Sequence, residues 1–254
     1  MNMKHIAFAT AAATVALLSA SGASAQTVAI VTGGFYTPDL KNQLVAKGYT
    51  VTEVSNYSAA TLSSYSAVIQ DGNSYVDQAA LTSYVTAGGK LVLLPWSGLN
   101  YAVQPQLQIF GNGGSAQYSI ANPGVTVLAP GNSLLTGVAF PAAGSPNIGR
   151  INGIDFVAGV TQVTDWADGV GMLGYRSLGA GQVYGLNMHL ITSDTAYQVI
   201  DTPWASQLVG NIVGARATPA VPEPATWAMM LVGFGAIGGT LRRRQKVETR
   251  IRFA

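Results

Sequence analysis

The stretch LTSYVTAGGKLVLL at residues 81–94 reads as a helix joined to a buried strand. Leu81 and Val85 are one helical turn apart and share a face, and Gly88-Gly89 ends the helix. The run from Lys90 to Leu94 has no polar alternation, which is typical of a strand covered on both faces. A helix that leads directly into such a strand predicts one half of a βαβ unit.

The same pattern repeats toward the amino end of the chain. Strands are predicted at Thr27–Thr32, Thr50–Val54 and Ala67–Gln70, helices at Asp39–Lys47 and Asp77–Thr86, and a short helix or turn at Ser58–Tyr65. Strands that alternate with helices at this spacing form right-handed crossover units. The expected fold class is therefore α/β, a parallel sheet flanked by helices.

The sequence patterns that predict helices and strands are weaker after Pro95. We expect loops over Leu107–Gly124 and Pro130–Arg150, because both stretches are rich in glycine, asparagine or proline. Four short strands are predicted beyond them, at Ile154–Val157, Gln162–Asp165, Gly171–Tyr175 and Gln182–Asn187. The last helix is predicted at Pro203–Val213, with its proline in the first turn.

This layout resembles the class I glutamine amidotransferase-like fold, a flavodoxin-like arrangement, including its trehalose-utilisation-type relatives. The resemblance is carried by YSAVI at 65–69, LTSYVTAGGKLV at 81–92, NSLLTGV at 132–138 and GAGQVY at 179–184. It implies one α/β domain over residues 26–216.

The amino end carries the features of a secretory signal peptide over residues 1–25. Lys4 precedes an apolar run from Ile6 to Leu18 that is too short to span a bilayer, and Ala23-Ser24-Ala25 forms an A-x-A site. We expect signal peptidase to cleave before Gln26. The alternative is a buried first helix.

The carboxyl end is predicted to cross the inner membrane. Ala225–Leu241 is an uncharged apolar run of about 17 residues, the lower limit for a spanning helix. Arg242, Arg243 and Arg244 follow at once, so residues 242–254 are predicted to be a basic cytoplasmic tail. The domain would then face the periplasm.

Residues 217–224 form a linker that ends in an unusual motif. Pro222 and Pro224 flank Glu223 and keep the backbone extended, and Trp227-Ala228 follows. This region is similar to the PEP-CTERM family in its P-E-P-x-x-W-A variant, followed by a glycine-rich helix and an arginine cluster. The resemblance implies that an exosortase of a Gram-negative, polysaccharide-producing bacterium cleaves near the motif. Gln245–Ala254 is longer than the family's usual ending. A plain membrane anchor is the alternative.

Charge and composition exclude several classes of function. Between Gln26 and Val221 there are six basic and nine acidic residues, a net charge of −3, so no basic surface is predicted for nucleic acid. The chain has no cysteine. Thiol catalysis, zinc–thiolate sites and iron–sulfur clusters are therefore excluded.

Ligands of an open parallel sheet bind beyond the carboxyl ends of its strands. The resemblance implies a nucleophilic cysteine after the strand at 90–94 and a histidine at the end of a late strand. Ser97 and His189 stand there instead. One hypothesis is therefore a serine-type hydrolase with Ser97 as nucleophile, His189 as base and Asp194 as orienting acid. The alternative is that Ser97 is a turn residue, since the full G-x-S-x-G elbow is missing.

A second hypothesis is that the protein binds a ligand at this edge without catalysing a reaction. Tyr36, Trp96 and Tyr101 follow strands at the same edge, and together with Asp71 they offer apolar faces and hydrogen bonds to a saccharide. The alternative is that Trp96 only covers the sheet. No metal or cofactor is predicted. The sequence thus predicts an exported, exosortase-sorted cell-surface or matrix protein that is not an enzyme and contacts exopolysaccharide.

Overall fold

The computed structural model of the chain describes residues 26–31, 38–55, 58–70, 77–95, 104–111, 113–190 and 202–215. The strands are β1 (Thr27–Val31), β2 (Thr50–Val54), β3 (Ala67–Gln70), β4 (Lys90–Leu93), β5 (Ser115–Ile120), β6 (Val125–Val127), β7 (Ile148–Asn152), β8 (Thr161–Trp166), β9 (Gly171–Leu178) and β10 (Gly181–Leu186). The helices are α1 (Pro38–Ala46), α2 (Ala59–Leu62), α3 (Gln78–Thr86) and α4 (Pro203–Gly214), with a short 3₁₀ helix at Ser133–Leu135.

Five strands form a parallel sheet in the order β2-β1-β3-β4-β10. The central strands are apolar along almost their whole length because both of their faces are covered. Val28 to Val31 of β1, for example, are fully buried. This order confirms the α/β class and the flavodoxin-like arrangement of the first four strands.

Helices cover both faces of the parallel strands. On one face, α1 and α4 pack through Leu40, Leu44 and Leu208 against alternate residues of β1 and β3. On the other face, α2 and α3 pack through Leu62 and Leu81 against the remaining residues of the same strands. The two apolar layers are separated by the sheet, as in other three-layer α/β domains.

The sheet is not parallel throughout, which corrects the predicted all-parallel architecture. Strands β9, β8 and β6 continue it beyond β10, and each pairs antiparallel with its neighbour. The physical reason lies in the connections. Only Gly179 and Ala180 join β9 to β10, and a two-residue turn can connect only antiparallel strands. Gly179 has a φ of +61°, a left-handed conformation that glycine adopts readily.

The predicted strands and helices of the first half agree with the structure to within a few residues, but two predictions in the second half were wrong. The strand predicted at 154–157 is absent, and only an isolated bridge between Phe110 and Phe156 lies there. The stretches predicted to be loops contain β5, the start of β7 and a 3₁₀ turn, and β6 lies between the two stretches. Strands β5 and β7 pair with each other in a small separate sheet.

None of the helices among the described residues is long and apolar enough to cross a bilayer. The membrane-spanning helix predicted at 225–241 lies outside those residues, as do the signal peptide and the basic tail.

Candidate functional site

The predicted site lies at the carboxyl edge of the parallel strands, where the chain leaves β1, β3, β4 and β10. His189 is described there. The other predicted site residues lie outside the described residues: Tyr36, Asp71, Trp96, Ser97, Tyr101 and Asp194, together with the sorting residues Pro222, Glu223, Pro224, Trp227, Ala228, Arg242, Arg243 and Arg244. The pairing of Ser97 with His189 therefore stays a prediction.

His189 follows β10 by three residues and lies inside the protein. Its side chain is buried, with 4% of the residue exposed. Its backbone N–H donates to the carbonyl oxygen of Gly149 in β7 at 2.8 Å. A Cβ atom at Gly149 would lie 3.0 Å from Cδ2 of the imidazole, so the glycine leaves room for the His189 ring to pack against β7.

Burial also sets the charge of His189. Desolvation lowers the pKa of the imidazole from 6.5 to about 4, so the ring is neutral at neutral pH. A general base works best when its pKa is close to the working pH. In this environment His189 is a weak proton acceptor.

Asn187 fixes the segment that carries His189. Its side-chain oxygen accepts from the N–H of Ile151 at 2.8 Å, and its amide nitrogen donates to the carbonyl oxygens of Ile151 and Gly171, both at 2.9 Å. The indole N–H of Trp166 donates to the Asn187 carbonyl oxygen at 3.1 Å. These bonds tie the end of β10 to β7 and β9 in a fully buried setting.

Tyr118 covers His189 from the solvent side, and the sequence analysis did not identify it. The two ring centroids are 5.6 Å apart, and 47% of Tyr118 is exposed. The residue lies on β5 at an irregularity between Gln117 and Ile120. Its neighbour Ser119 has a φ of 53°, and a bulge of this kind changes the direction of nearby side chains. The alternation in Ala-Gln-Tyr-Ser-Ile at 116–120 was the available signal for a strand here.

Gln70 is a second residue that the sequence analysis missed. It ends β3, where it pairs with Val31 of β1 and Leu93 of β4. Only 1% of it is exposed, and neither atom of its side-chain amide has a hydrogen-bond partner among the described residues. The strand order reverses between β1 and β3, which is where open α/β sheets bind ligands. A polar residue at the end of an apolar strand was the signal in the sequence.

An ion pair between a buried arginine and a solvent-exposed aspartate supports β7 beside this region. Arg150 is 2% exposed, and its guanidinium bonds both carboxylate oxygens of Asp168, with Nη1 2.7 Å from Oδ1. Its Nε donates to Gln117 at 3.1 Å, and its Cζ lies 5.8 Å from the centre of the Trp166 ring. The hydrogen bond from Arg150 holds the pKa of Asp168 below its usual range.

Within the parts of the chain that the structure describes, no group of three or more histidine or acidic residues is placed to hold a metal ion.

The fold is similar to several solved structures at low sequence identity. A cytoplasmic protein from Salmonella typhimurium LT2 matches with a TM-score of 0.58 and 12% identity, over 76% of this chain and 100% of that one. PurLQS from Thermotoga maritima matches with a TM-score of 0.50 and 14% identity, over 75% and 98% of the two chains. A proposed GMP synthase component from Thermoplasma acidophilum matches with a TM-score of 0.50 and 12% identity, over 75% and 94% of the two chains. These likenesses bear out the amidotransferase-like fold and nothing about activity.

Residues 220–245 match the model of the PEP-CTERM protein-sorting motif. The predicted sorting motif is therefore confirmed. It supports an exported protein that is anchored in the membrane before processing and has an exosortase as its processing partner. No functionally curated protein matches the chain in sequence.

Proposed function

We propose that this chain is a non-enzymatic component of the cell surface or extracellular matrix that contacts exopolysaccharide after an exosortase has processed it. The sorting motif at 220–245 is the observation that carries the proposal. A protein with such a motif is delivered outside the cytoplasm, and the envelope polymers there are its nearest partners.

A signal peptide over residues 1–25 agrees with the way the domain begins. Strand β1 starts at Thr27, one residue after the proposed cleavage site. The carbonyl oxygen of Gln26 accepts a hydrogen bond of 3.1 Å from the N–H of Thr50, so Gln26 is already bonded to the first residue of β2. Cleavage before Gln26 would leave every element of the described fold intact.

The proposed carboxyl boundary agrees with the way the domain ends. Helix α4 ends at Gly214, close to the proposed end of the domain at 216. Lys90 donates hydrogen bonds to the carbonyl oxygens of Val213 and Ala215, so the end of this helix is satisfied from within the domain. We propose that the linker, the motif, the membrane helix at 225–241 and the basic tail follow as a separate sorting segment.

The setting of His189 favours a role without catalysis. A base of pKa about 4 that is 4% exposed is poorly suited to activate a serine at neutral pH. Its neutral ring instead completes the packing behind Tyr118.

A saccharide contact at the carboxyl edge is supported by exposed aromatic surface. Tyr118 presents an exposed ring beside His189, at the edge of the sheet where the sequence predicts Tyr36, Trp96 and Tyr101. Aromatic faces beside amide groups bind sugars by stacking and hydrogen bonding.

The sorting step is tested in a strain that lacks the exosortase. We expect a chain that keeps its carboxyl tail to accumulate in its membrane fraction, whereas the parent strain yields a protein shortened at its carboxyl end, and in both strains the protein begins at Gln26. A Pro222→Ala/Pro224→Ala variant in the parent strain should reproduce the defect, and Pro130→Ala should not. Mass spectrometry of the purified protein measures both termini, and identical carboxyl termini with and without the exosortase would refute the assignment.

The polysaccharide contact is tested by affinity chromatography on exopolysaccharide purified from the producing organism. We expect retention of the wild-type protein and earlier elution of Trp96→Ala and Tyr118→Ala. Leu128→Ala removes a different exposed apolar side chain and serves as the control. Equal retention of all four proteins would remove the proposed contact.

A further inference from the structure

A cleft of about 460 Å³ lies at the amino ends of β3 and β4, the edge of the sheet opposite the site described above. It lies between α2 and α3, and its volume falls in the range of about 300–1,000 Å³ that is usual for small-molecule sites. It is lined by Ala59, Ser63, Tyr65, Ser66, Ser83, Tyr84, Ala87, Gly88 and Gly89.

The lining combines hydroxyl groups with apolar surface and contains no charged side chain. Neither the hydroxyl of Tyr65 nor that of Ser83 is hydrogen-bonded to any described residue. The hydroxyls of Ser63 and Ser66 each donate to a backbone carbonyl oxygen at 2.7 Å and keep lone pairs that can accept. The cleft therefore offers donors and acceptors beside aromatic rings.

The back of the cleft is rigid. The hydroxyl of Tyr84 donates toward the carbonyl oxygens of Tyr65, at 3.1 Å, and Lys90, at 3.3 Å, and accepts from the N–H of Lys90 at 3.2 Å. The ring of Tyr84 lies directly on Gly89, where a Cβ atom would come within 2.3 Å of it. A ring fixed from both ends is a preorganised surface, which lowers the entropy cost of binding.

We propose that this cleft binds a neutral saccharide unit. A charged ligand would be desolvated against side chains that carry no compensating charge, and a purely apolar ligand would leave the hydroxyl groups unpaired. A sugar ring has an apolar face for the ring of Tyr65 and hydroxyls for the serines, while Tyr84, which is 4% exposed, forms the back of the cleft. The site is separate from the proposed contact at the carboxyl edge, and it does not rest on that contact or on the sorting of the protein.

The experiment uses the full-length protein in a zwitterionic detergent that contains no sugar. Saturation-transfer NMR is recorded with cellobiose, maltose and lactose at millimolar concentrations, and with glucose 6-phosphate as a charged comparison. We expect signals from at least one neutral disaccharide and none from the phosphate. Ser83→Trp fills the cleft and should weaken binding by about tenfold or more, since a blocked pocket excludes the ligand.

Val45→Trp is the matched control, because Val45 is exposed on α1, on the other face of the sheet, and should bind like the wild type. Tyr65→Phe keeps the ring but removes its hydroxyl, and should weaken binding several-fold even if the tryptophan variant does not fold. Absence of neutral-sugar signals, or equal binding by Tyr65→Phe and the wild type, would overturn the inference. Neither result would alter the retention of the protein on exopolysaccharide through Trp96 and Tyr118, so the two proposals fail separately.

Discussion

Lys90 and Ala215 are 125 positions apart in the chain, yet the ammonium group of Lys90 donates a hydrogen bond of 2.7 Å to the carbonyl oxygen of Ala215. The same group also bonds the carbonyl oxygen of Val213. The last carbonyls of a helix lack partners inside the helix and attract positive charge. A lysine at the first position of β4 thus fastens the end of α4 to the sheet.

Replacing Lys90 by methionine tests this attachment. Lys90 is 6% exposed, and Lys90→Met leaves the carbonyls of Val213 and Ala215 without their charged donor. We expect the free energy of unfolding to fall by about 2–3 kcal/mol, the usual effect of losing hydrogen bonds to a charged group. Urea unfolding followed by circular dichroism measures this change in the free energy of unfolding.

Lys47→Met is the control for this prediction. Lys47 is exposed and also reaches α4, with Nζ 3.3 Å from Oε1 of Gln207. Its replacement should change the stability by no more than about 0.5 kcal/mol, as is usual for surface positions. Equal effects of the two substitutions would mean that Lys90 contributes only as a surface residue.

The buried His189 predicts a dependence of stability on pH. Its pKa is about 4 in the folded protein and 6.5 ordinarily, so between these values the unfolded chain binds the proton and the folded chain does not. Stability is therefore complete above pH 6.5 and falls as the pH decreases toward 4, by up to about 3 kcal/mol.

The histidine component of this loss should disappear in His189→Gln, which cannot gain a proton. Urea unfolding of both proteins at several pH values between 4.5 and 7 gives the comparison, since the shifted window ends near the folded pKa of about 4. Parallel pH profiles for the wild type and the variant would contradict a neutral, buried imidazole.

Gln70 predicts a stabilising substitution. Both atoms of its amide are buried without a partner among the described residues, and such a group costs about 1–3 kcal/mol. Gln70→Met has a similar shape and no polar atoms to desolvate, so it should raise the free energy of unfolding by about that amount. Thermal and urea unfolding measure the change.

Gln182 provides a matched control in β10. It is also buried, with 5% exposed, but its side-chain oxygen accepts a hydrogen bond from the hydroxyl of Tyr184. Gln182→Met should therefore lower the stability by about 1–2 kcal/mol, because it leaves that hydroxyl without its acceptor. If both glutamine substitutions destabilise equally, the Gln70 amide is hydrogen-bonded in solution and its burial carries no penalty.

We expect the contributions of Arg150 and Asp168 to the free energy of unfolding to depend strongly on each other. Asp168→Ala should cost about 1–3 kcal/mol, because it leaves a guanidinium that is 2% exposed without its counter-ion, although the carboxylate itself is partly solvated. Adding Arg150→Met should recover part of the loss. A double-mutant cycle should give an interaction energy of about 1–2 kcal/mol.

The surface pair of Lys41 and Glu53 is the reference for this cycle. Its nitrogen and oxygen are 2.8 Å apart, but both side chains are about 40% exposed. Exposed pairs contribute about 0–1 kcal/mol. Additive effects at Arg150 and Asp168, like those expected at the surface pair, would show that burial of the arginine adds no interaction energy to this contact.

The first half of the fold was predictable because local and tertiary signals agree there. Thr27–Val31 and Ala67–Gln70 are apolar runs that end at turn residues, and Asp77 caps α3 through a bond of 3.0 Å to the N–H of Ala80. The sequence patterns of β5 and β7 were weaker indicators of strands. Their residues are half polar, and only their mutual pairing and the packing around Ile148 and Ile151 make them strands.

The candidate site was less predictable than the fold. The sequence placed His189 at the carboxyl edge but carried no information on its burial, which depends on Gly149 and Tyr118 from distant parts of the chain. Gln70 looked like the end of a strand, because the lack of a partner for its amide becomes visible only once β1 and β4 lie beside it.

The central position of β1 has a consequence for the export of the protein. The segment that leaves the membrane first is the one that β2 and β3 flank, so the sheet can grow outward from it as later residues emerge. Helix α4 is the last described element, and it covers apolar residues of that sheet with Leu208 and Ile212. Until those residues have crossed the membrane, one apolar face of the nascent sheet stays exposed to water, so we expect chaperones outside the cytoplasm to be needed at that late stage of export.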